Sequence, residues 1–302
     1  MELTAADDDF HAPAEDDPLW TETAWFGFAV PERRLAGAIY PVFRTNQGVC
    51  SSGVYVWDDT AEAQHEVLYA RNSWHLPMPG HLTTLELANG LRYDVREPLQ
   101  RYGVRYADGD ELVLDLEFDA LHEPHAPLLG ATGHLDQLGR VTGTMVLHGE
   151  EIAVDCFEMR DRSWSVRRDH GAVRAAYDYA AAGPDTGFLA MSIGAGDQFP
   201  ILAGFHLHDG KAVRLTGGTR QIIHETDPRP VQVRVEASDE AGCQIEAVGT
   251  CVNRFAFQSS PNYFAWMSLT RWVLDGVPAW GEDQDVWSPD LLRRASRERG
   301  AE

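Results

Sequence analysis

From Trp20 onward the chain alternates apolar and polar residues with a period of two, and no other feature restricts its fold as strongly. Between Asp110 and Ala120, Leu112, Leu114, Leu116 and Phe118 fall on one face, while Glu111, Asp115, Glu117 and Asp119 fall on the other. Successive side chains of a strand point to opposite sides, so the pattern specifies an antiparallel strand with one buried face. It returns at Val231, Val233 and Val235, and at Val141, Gly143, Met145 and Leu147. Asp108-Gly109, Leu138-Gly139, His148-Gly149, Asp209-Gly210 and Asp275-Gly276 punctuate the runs and supply the positive φ angles that tight hairpins require. Many short strands joined by tight turns predict sandwiches or barrels. The strand–helix alternation of a dinucleotide-binding fold is missing, as are its Gly-x-Gly-x-x-Gly signature, the Walker loop and the Gly-x-Ser-x-Gly elbow.

One helix is predicted, at the C-terminus. Ser288 caps it, Pro289 suits its first turn and Asp290 complements the dipole, while Arg293, Arg294, Arg297 and Arg299 load the far end before Gly300. At 302 residues the chain accommodates two domains of ordinary size, and 44% hydrophobic residues suffice for their cores. Residues 1–18 read as an acidic flexible tail, because Asp7-Asp8-Asp9 and Glu15-Asp16-Asp17 repel and Pro13 and Pro18 interrupt regular structure. The charged run Arg160 to Asp169 closes a first barrel spanning 19–170, and the strand pattern restarts at Tyr177 in a second spanning 171–302.

A net charge of −22 argues against nucleic acid and against an anionic membrane surface, since both need Lys and Arg at the contact. Lys211, the single lysine, sits beside the turn His208-Asp209-Gly210, a poor place for the desolvation that Schiff-base chemistry needs. Cys50, Cys156, Cys243 and Cys251 form no Cys-x-x-Cys pair and read as free thiols in a reducing compartment. No apolar run reaches membrane-spanning length and no basic-then-apolar leader opens the chain. The expected location is cytoplasmic, without stable membrane insertion. His122 with His125, and His206 with His208, form close pairs, but no third ligand at a diagnostic spacing accompanies them, and no metal is expected. A homodimer is compatible with the sequence, which does not set the oligomeric state.

Chemistry concentrates where polar residues interrupt strand-like sequence. Ile152, Val154 and Cys156 begin an ordinary strand; beyond them Glu158, Arg160 and Arg162 share one face with Trp164, while Asp155 and Asp161 share the other. Charges on both faces of a strand need compensation. Two arrangements provide it. One is a polar cluster inside a pocket, where a carboxylic acid held by Arg or raised by burial moves a proton. The other is an ion-pair network tying one barrel to the next. Trp25, Tyr40, Tyr55, Trp57 and Trp74 suit a cavity for a large apolar ligand, and suit an ordinary core equally well. Trp280 to Trp287 reads as an acidic, aromatic loop.

Met159-Arg160-Asp161-Arg162-Ser163-Trp164 resembles the Arg-Asp-x-x-Trp motif of the superfamily that contains carotenoid 1,2-hydratases and AttH-like proteins, to which some pericyclases of natural-product pathways are similar in fold. Trp25 to Phe28, Gly53 to Asp58, Gly139 to Gly143 and Gly204 to Gly210 agree with it, so the resemblance covers most of residues 20–287. Ser165 stands where a glycine often follows the Trp in relatives. The resemblance implies two lipocalin-like domains, a pocket for a terpenoid, polyketide or steroid-like molecule, and no redox cofactor. Of the acidic motif, Asp161 and Trp164 map onto this chain.

The expectation is an all-β protein of two lipocalin-like antiparallel β-barrels in tandem with a short C-terminal helix. It would be a cofactor-independent acid–base enzyme of the lyase or isomerase type, using hydration, dehydration, cyclisation or isomerisation of a hydrophobic small molecule. Asp161, Glu158, Arg160 and Arg162 are its candidate catalytic residues, and Trp25, Tyr40, Tyr55, Trp57, Trp74 and Trp164 its candidate substrate-binding residues. The alternative is a non-catalytic carrier of a lipophilic small molecule, which needs the cavity but no buried acid.

Overall fold

The computed structural model describes residues 3–13, 16–127, 133–168, 174–224, 228–260 and 262–299. The chain forms two compact units, Met1–Glu32 with Ala36–Val56 and Leu68–Arg168, and Arg33–Leu35 with Trp57–Val67 and Asp169–Glu302.

The first unit is built on a ten-stranded antiparallel sheet of β1 (Trp20–Val30), β2 (Leu35–Arg44), β3 (Val49–Trp57), β4 (Tyr69–Pro77), β5 (Thr84–Glu86), β6 (Arg92–Glu97), β7 (Arg101–Asp108), β8 (Leu112–Ala120), β9 (Gly133–Leu147) and β10 (Glu150–Val166). Their order, β4-β3-β2-β1-β10-β9-β8-β7-β6-β5, brings the first and last strands together at the centre. Ring contacts show how far the sheet curls. Phe26 of β1 lies 5.3 Å from Tyr93 of β6 and 5.9 Å from Phe118 of β8, although β10 and β9 stand between β1 and β8. The face carrying these rings is therefore concave. Among the described residues no pairing joins β4 to β5, and the sheet remains a half-barrel.

The second unit contains β11 (Arg174–Gly183), β12 (Thr186–Ile193), β13 (Gln198–His208), β14 (Lys211–His224), β15 (Pro230–Asp239), β16 (Gln244–Cys251), β17 (Phe255–Ser260), β18 (Tyr263–Leu274) and β19 (Val277–Trp287). Pairing of β16 with β18 closes eight of these strands into a barrel, with β17 appended to β18. Phe188, Val233, Val235 and Trp272 fill its interior and are fully buried. Helix α1 (Pro289–Arg299) follows. The Ser288 carbonyl accepts from Leu292 N–H at 3.1 Å, but the Ser288 hydroxyl makes no hydrogen bond among the described residues, so the expected side-chain cap does not form. Gly300 lies outside the described residues.

Four of the five predicted turns are turns, and Gly109, Gly149, Gly210 and Gly276 each adopt positive φ. Leu138-Gly139 is not one of them. It lies inside β9, where a Cβ on Gly139 would come within 2.2 Å of the Phe118 ring, so the glycine serves close packing rather than a bend. Trp280 to Trp287 is likewise strand, not loop. Its acidic residues Glu282, Asp283 and Asp285 are buried because cations and hydroxyls from other strands meet them.

The acidic N-terminus departs most from expectation. Its described residues do not form a solvated tail. Ala5–Asp8 make a 3-10 turn capped by Thr4, and the segment enters the concave face of the half-barrel. Asp8 is fully buried there, Phe10 packs edge-on against Phe43, and His11 stacks on Trp164 at 3.8 Å.

Candidate active site

The site grows from the register of three central strands. Trp25 on β1 faces Asp161 on β10, and Asp161 faces Asp136 on β9. Alternation then fixes the rest. Glu22, Arg160, Arg162 and Trp164 fall on the concave face, and Thr23, Trp25, Ser163, Asp161, His134 and Asp136 fall on the other.

On that second face His134 Nε2 and Asp136 Oδ1 are 2.9 Å apart. Burial alone would lower the His134 pKa. Attraction and the hydrogen bond from Asp136, with help from Asp161, outweigh it and hold the imidazole above its ordinary value. Asp136 is itself fixed by paired backbone hydrogen bonds to His125, 2.9 Å each. Asp161 keeps part of its surface in contact with solvent, yet its Oδ1 is sealed and has no hydrogen-bond partner among the described residues. Burial pushes the Asp161 carboxyl up to about 6 and Asp136 reinforces the shift, against opposing attraction from His134, Arg167 and Arg162. A carboxyl titrating there can give or take a proton near neutrality. The Trp25 and Tyr40 rings meet edge to face at 5.3 Å and supply an aromatic surface next to it. Thr23 and Ser163 share a 2.7 Å hydrogen bond beside Asp161, and Arg167 donates to Ser163.

The structure brings Asp161, Trp25 and Tyr40 together and separates the other expected site residues from them. Arg160 and Arg162 do not support Asp161 by direct contact. On the concave face Arg160 Nε donates to Gln137 Oε1 at 2.7 Å and Nη1 lies 3.4 Å from Asp8, while Arg162 Nη2 donates to Glu22 at 2.8 Å. Glu158 is buried on the same face as these arginines. Trp164 packs against His11 there, over Gly133, where a Cβ would clash with its indole at 1.9 Å. Tyr55 is buried and donates to Asn72. Trp57 belongs to the second unit, where it donates to Asn253 at 3.1 Å and stacks on Phe255. Trp74 is 53% exposed. A polar groove of about 440 Å³, lined by Arg71, Asn89 and Asp108 among others, includes none of the Asp161 cluster.

His134 and Asp136 were not singled out from the sequence. The usable signal was His134-x-Asp136 in a strand paired with the Asp161 strand, since that spacing places both on one face. The histidines that did attract attention have other roles. His122 accepts from Leu138 N–H at 3.0 Å, and burial lowers its pKa to about 4. His206 pairs with Asp239 at 3.0 Å, while His208 is exposed. Among the described residues no three His, Cys, Asp or Glu side chains gather to hold a metal.

A second buried charge cluster lies inside the closed barrel. Arg220 contacts Asp178 at 2.9 Å, Asp283 at 2.5 Å and Asp285 at 3.7 Å, and Arg174 reaches Asp285 at 3.1 Å. Burial raises the pKa of Asp283 and Asp178 although Arg220 opposes it. Arg220 and Arg174 also lie over the Phe199 ring. These side chains are held together by ion pairs within the barrel core, although Asp178 Oδ2, Asp283 Oδ2 and Arg220 Nη1 make no hydrogen bond among the described residues.

Comparison with known proteins fits this architecture. A family model described as "Domain of unknown function (DUF7064)" matches residues 4–282. No curated protein matches the chain. Among solved structures, an AttH-like protein of Nitrosomonas europaea is similar over 91% of this chain and 94% of its own, with TM-score 0.59 and 16% identity. Kievitone hydratase of Nectria haematococca is similar over 95% and 93%, with TM-score 0.53 and 9% identity. CghA, solved with Sch210972, is similar over 90% and 89%, with TM-score 0.55 and 13% identity. At these identities the likeness is one of fold, shared with the AttH-like protein, kievitone hydratase and CghA.

Proposed function

The chain belongs to the DUF7064 family, and from that premise we propose that it is an acid–base enzyme acting on an apolar small molecule, with Asp161 as the proton donor. The observation that carries the proposal is the Asp161 carboxyl, raised to about 6 beside the His134–Asp136 pair and the Trp25–Tyr40 aromatic corner. A carrier has no use for such an acid. That a hydratase and CghA share the fold supports a hydration or cyclisation chemistry.

The step balances with water as the sole co-reactant for hydration and with none for ring closure. Protonated Asp161 gives its proton to one carbon of an alkene, and the new C–H bond leaves a cation on the neighbouring carbon. The π faces of Trp25 and Tyr40 stabilise that cation. Water then adds and returns a proton to the Asp161 carboxylate, giving an alcohol; an internal double bond adding instead closes a ring and loses a proton to the same carboxylate. Dehydration is the reverse of the first course. His134 and Asp136 act on Asp161 in opposite directions, so burial is what raises its carboxyl to about 6.

The test is incubation of the protein with an apolar extract of its native host in deuterated water. Wild type is expected to yield a product with a new C–D bond that the Asp161→Asn variant does not form. Formation of the same product by both proteins, or no product with either, overturns the assignment.

A further inference from the structure

The concave face of the first unit is built to receive a carboxylate, and the chain's own Asp8 occupies it. Asp8 accepts from Leu99 N–H at 2.7 Å and from Tyr102 Oη at 2.9 Å, with Arg160 Nη1 at 3.4 Å. Arg162 Nη1 binds the Asp8 carbonyl oxygen at 3.1 Å. All of these side chains are buried, and Arg160 lies 4.0 Å over the Tyr102 ring.

The fit is incomplete in a specific way. Arg160 Nη2, Arg162 Nε and the Tyr93 hydroxyl are buried on this face without a hydrogen-bond partner among the described residues. Tyr93 stacks on Tyr102 at 5.8 Å and feels the charges of Arg160, Asp8 and Arg162. Buried donors without acceptors are rare in native proteins and costly. Asp8 reaches only one arm of the Arg160 fork, at a long distance. A free carboxylate, not tethered to a backbone, can bridge both arms and also take the Tyr93 hydroxyl. Phe10 packs edge-on against Phe43, a contact that an apolar tail on that carboxylate would take over in place of Phe10.

We propose that the interior of the first unit is a binding site for an amphiphilic organic carboxylate, and that the segment Asp7 to His11 is its resident occupant, displaced when such a ligand enters. This site lies on the face opposite Asp161 and stands independently of the catalytic reading.

Octanoate titrated into the full-length protein tests it, followed by isothermal calorimetry and by protease sensitivity of the N-terminal segment. Removing the internal competitor in Asp8→Ala is expected to tighten octanoate binding at least about tenfold over wild type, because the occupied state no longer competes. Octanol should gain nothing, Arg160→Met should abolish the gain, and octanoate should expose the wild-type segment to cleavage. If Asp8→Ala does not fold, Asp8→Asn keeps the side-chain volume and carries the same expectation. Octanol binding as well as octanoate, or a folded Asp8 variant that takes up no octanoate, overturns the proposal.

Discussion

Asp161 and Asp136 stand directly opposite each other on β10 and β9, and His134, two residues before Asp136 on the same face, lies between them in charge. Two carboxyl groups so placed cannot both ionise cheaply. Burial is the larger cause that raises the Asp161 carboxyl; the facing Asp136 adds to it and His134 opposes it.

That arrangement makes the Asp161 titration movable in both directions. Asp136 raises its pKa and His134 lowers it. Asp136→Asn should therefore bring the midpoint below about 6, and His134→Gln should carry it higher. Carboxyl-carbon NMR of the two variants measures both, and a shift in the opposite sense would contradict the pairing.

The same raised pKa has a consequence for stability. A carboxyl whose folded pKa exceeds its unfolded value binds a proton more tightly in the native state. Its contribution is present at low pH and is lost as pH rises from about 4 through about 6. Above that range Asp161 is a destabilising buried anion. Asp161→Asn should thus melt higher than wild type at pH 8, by on the order of 1 kcal/mol, while the difference vanishes near pH 4. Parallel melts at the two pH values check this.

Much of the fold was legible because alternation is local. Leu112 to Phe118 needs only its own sequence to declare a half-buried strand. What stayed hidden depends on partners far along the chain. Glu282, Asp283 and Asp285 look solvated until Arg220 and Arg174 are brought to them, and Asp7 to Asp9 look like a tail until Arg160, Arg162 and Tyr102 are seen waiting. The candidate site was half legible for the same reason. Asp161 announced itself as a charge in a strand, and alternation already placed Arg160 and Arg162 on the other face. Only the β9–β10 register reveals His134 as its neighbour.

The Arg220 cluster should respond to pH once its cation is removed. Arg220→Met leaves Asp178, Asp283 and Asp285 buried together, a loss of roughly 3 kcal/mol or more at pH 8. Burial already raises the Asp283 and Asp178 carboxyls, so lowering the pH lets them neutralise. Denaturant titration should show a smaller deficit at pH 5 than at pH 8; equal deficits would mean the carboxylates are not in charge contact.

Gly133 offers a purely steric check. Trp164 lies flat over it, and a methyl group there would meet the indole at 1.9 Å. Gly133→Ala should cost about 2 kcal/mol through forced displacement of Trp164, read as a lower melting temperature together with a shifted tryptophan emission. An unchanged emission spectrum would place Trp164 elsewhere.

The most direct measurement of the central claim is mass spectrometry of the small molecules released on gentle denaturation of the wild-type protein and of Asp161→Asn, each purified from the native host. The account predicts that the variant retains a molecule which wild type releases altered, by the mass of one water or, for a ring closure, at unchanged mass with a different retention time. Recovery of the same molecule in the same form from both proteins would contradict it and leave a carrier in its place.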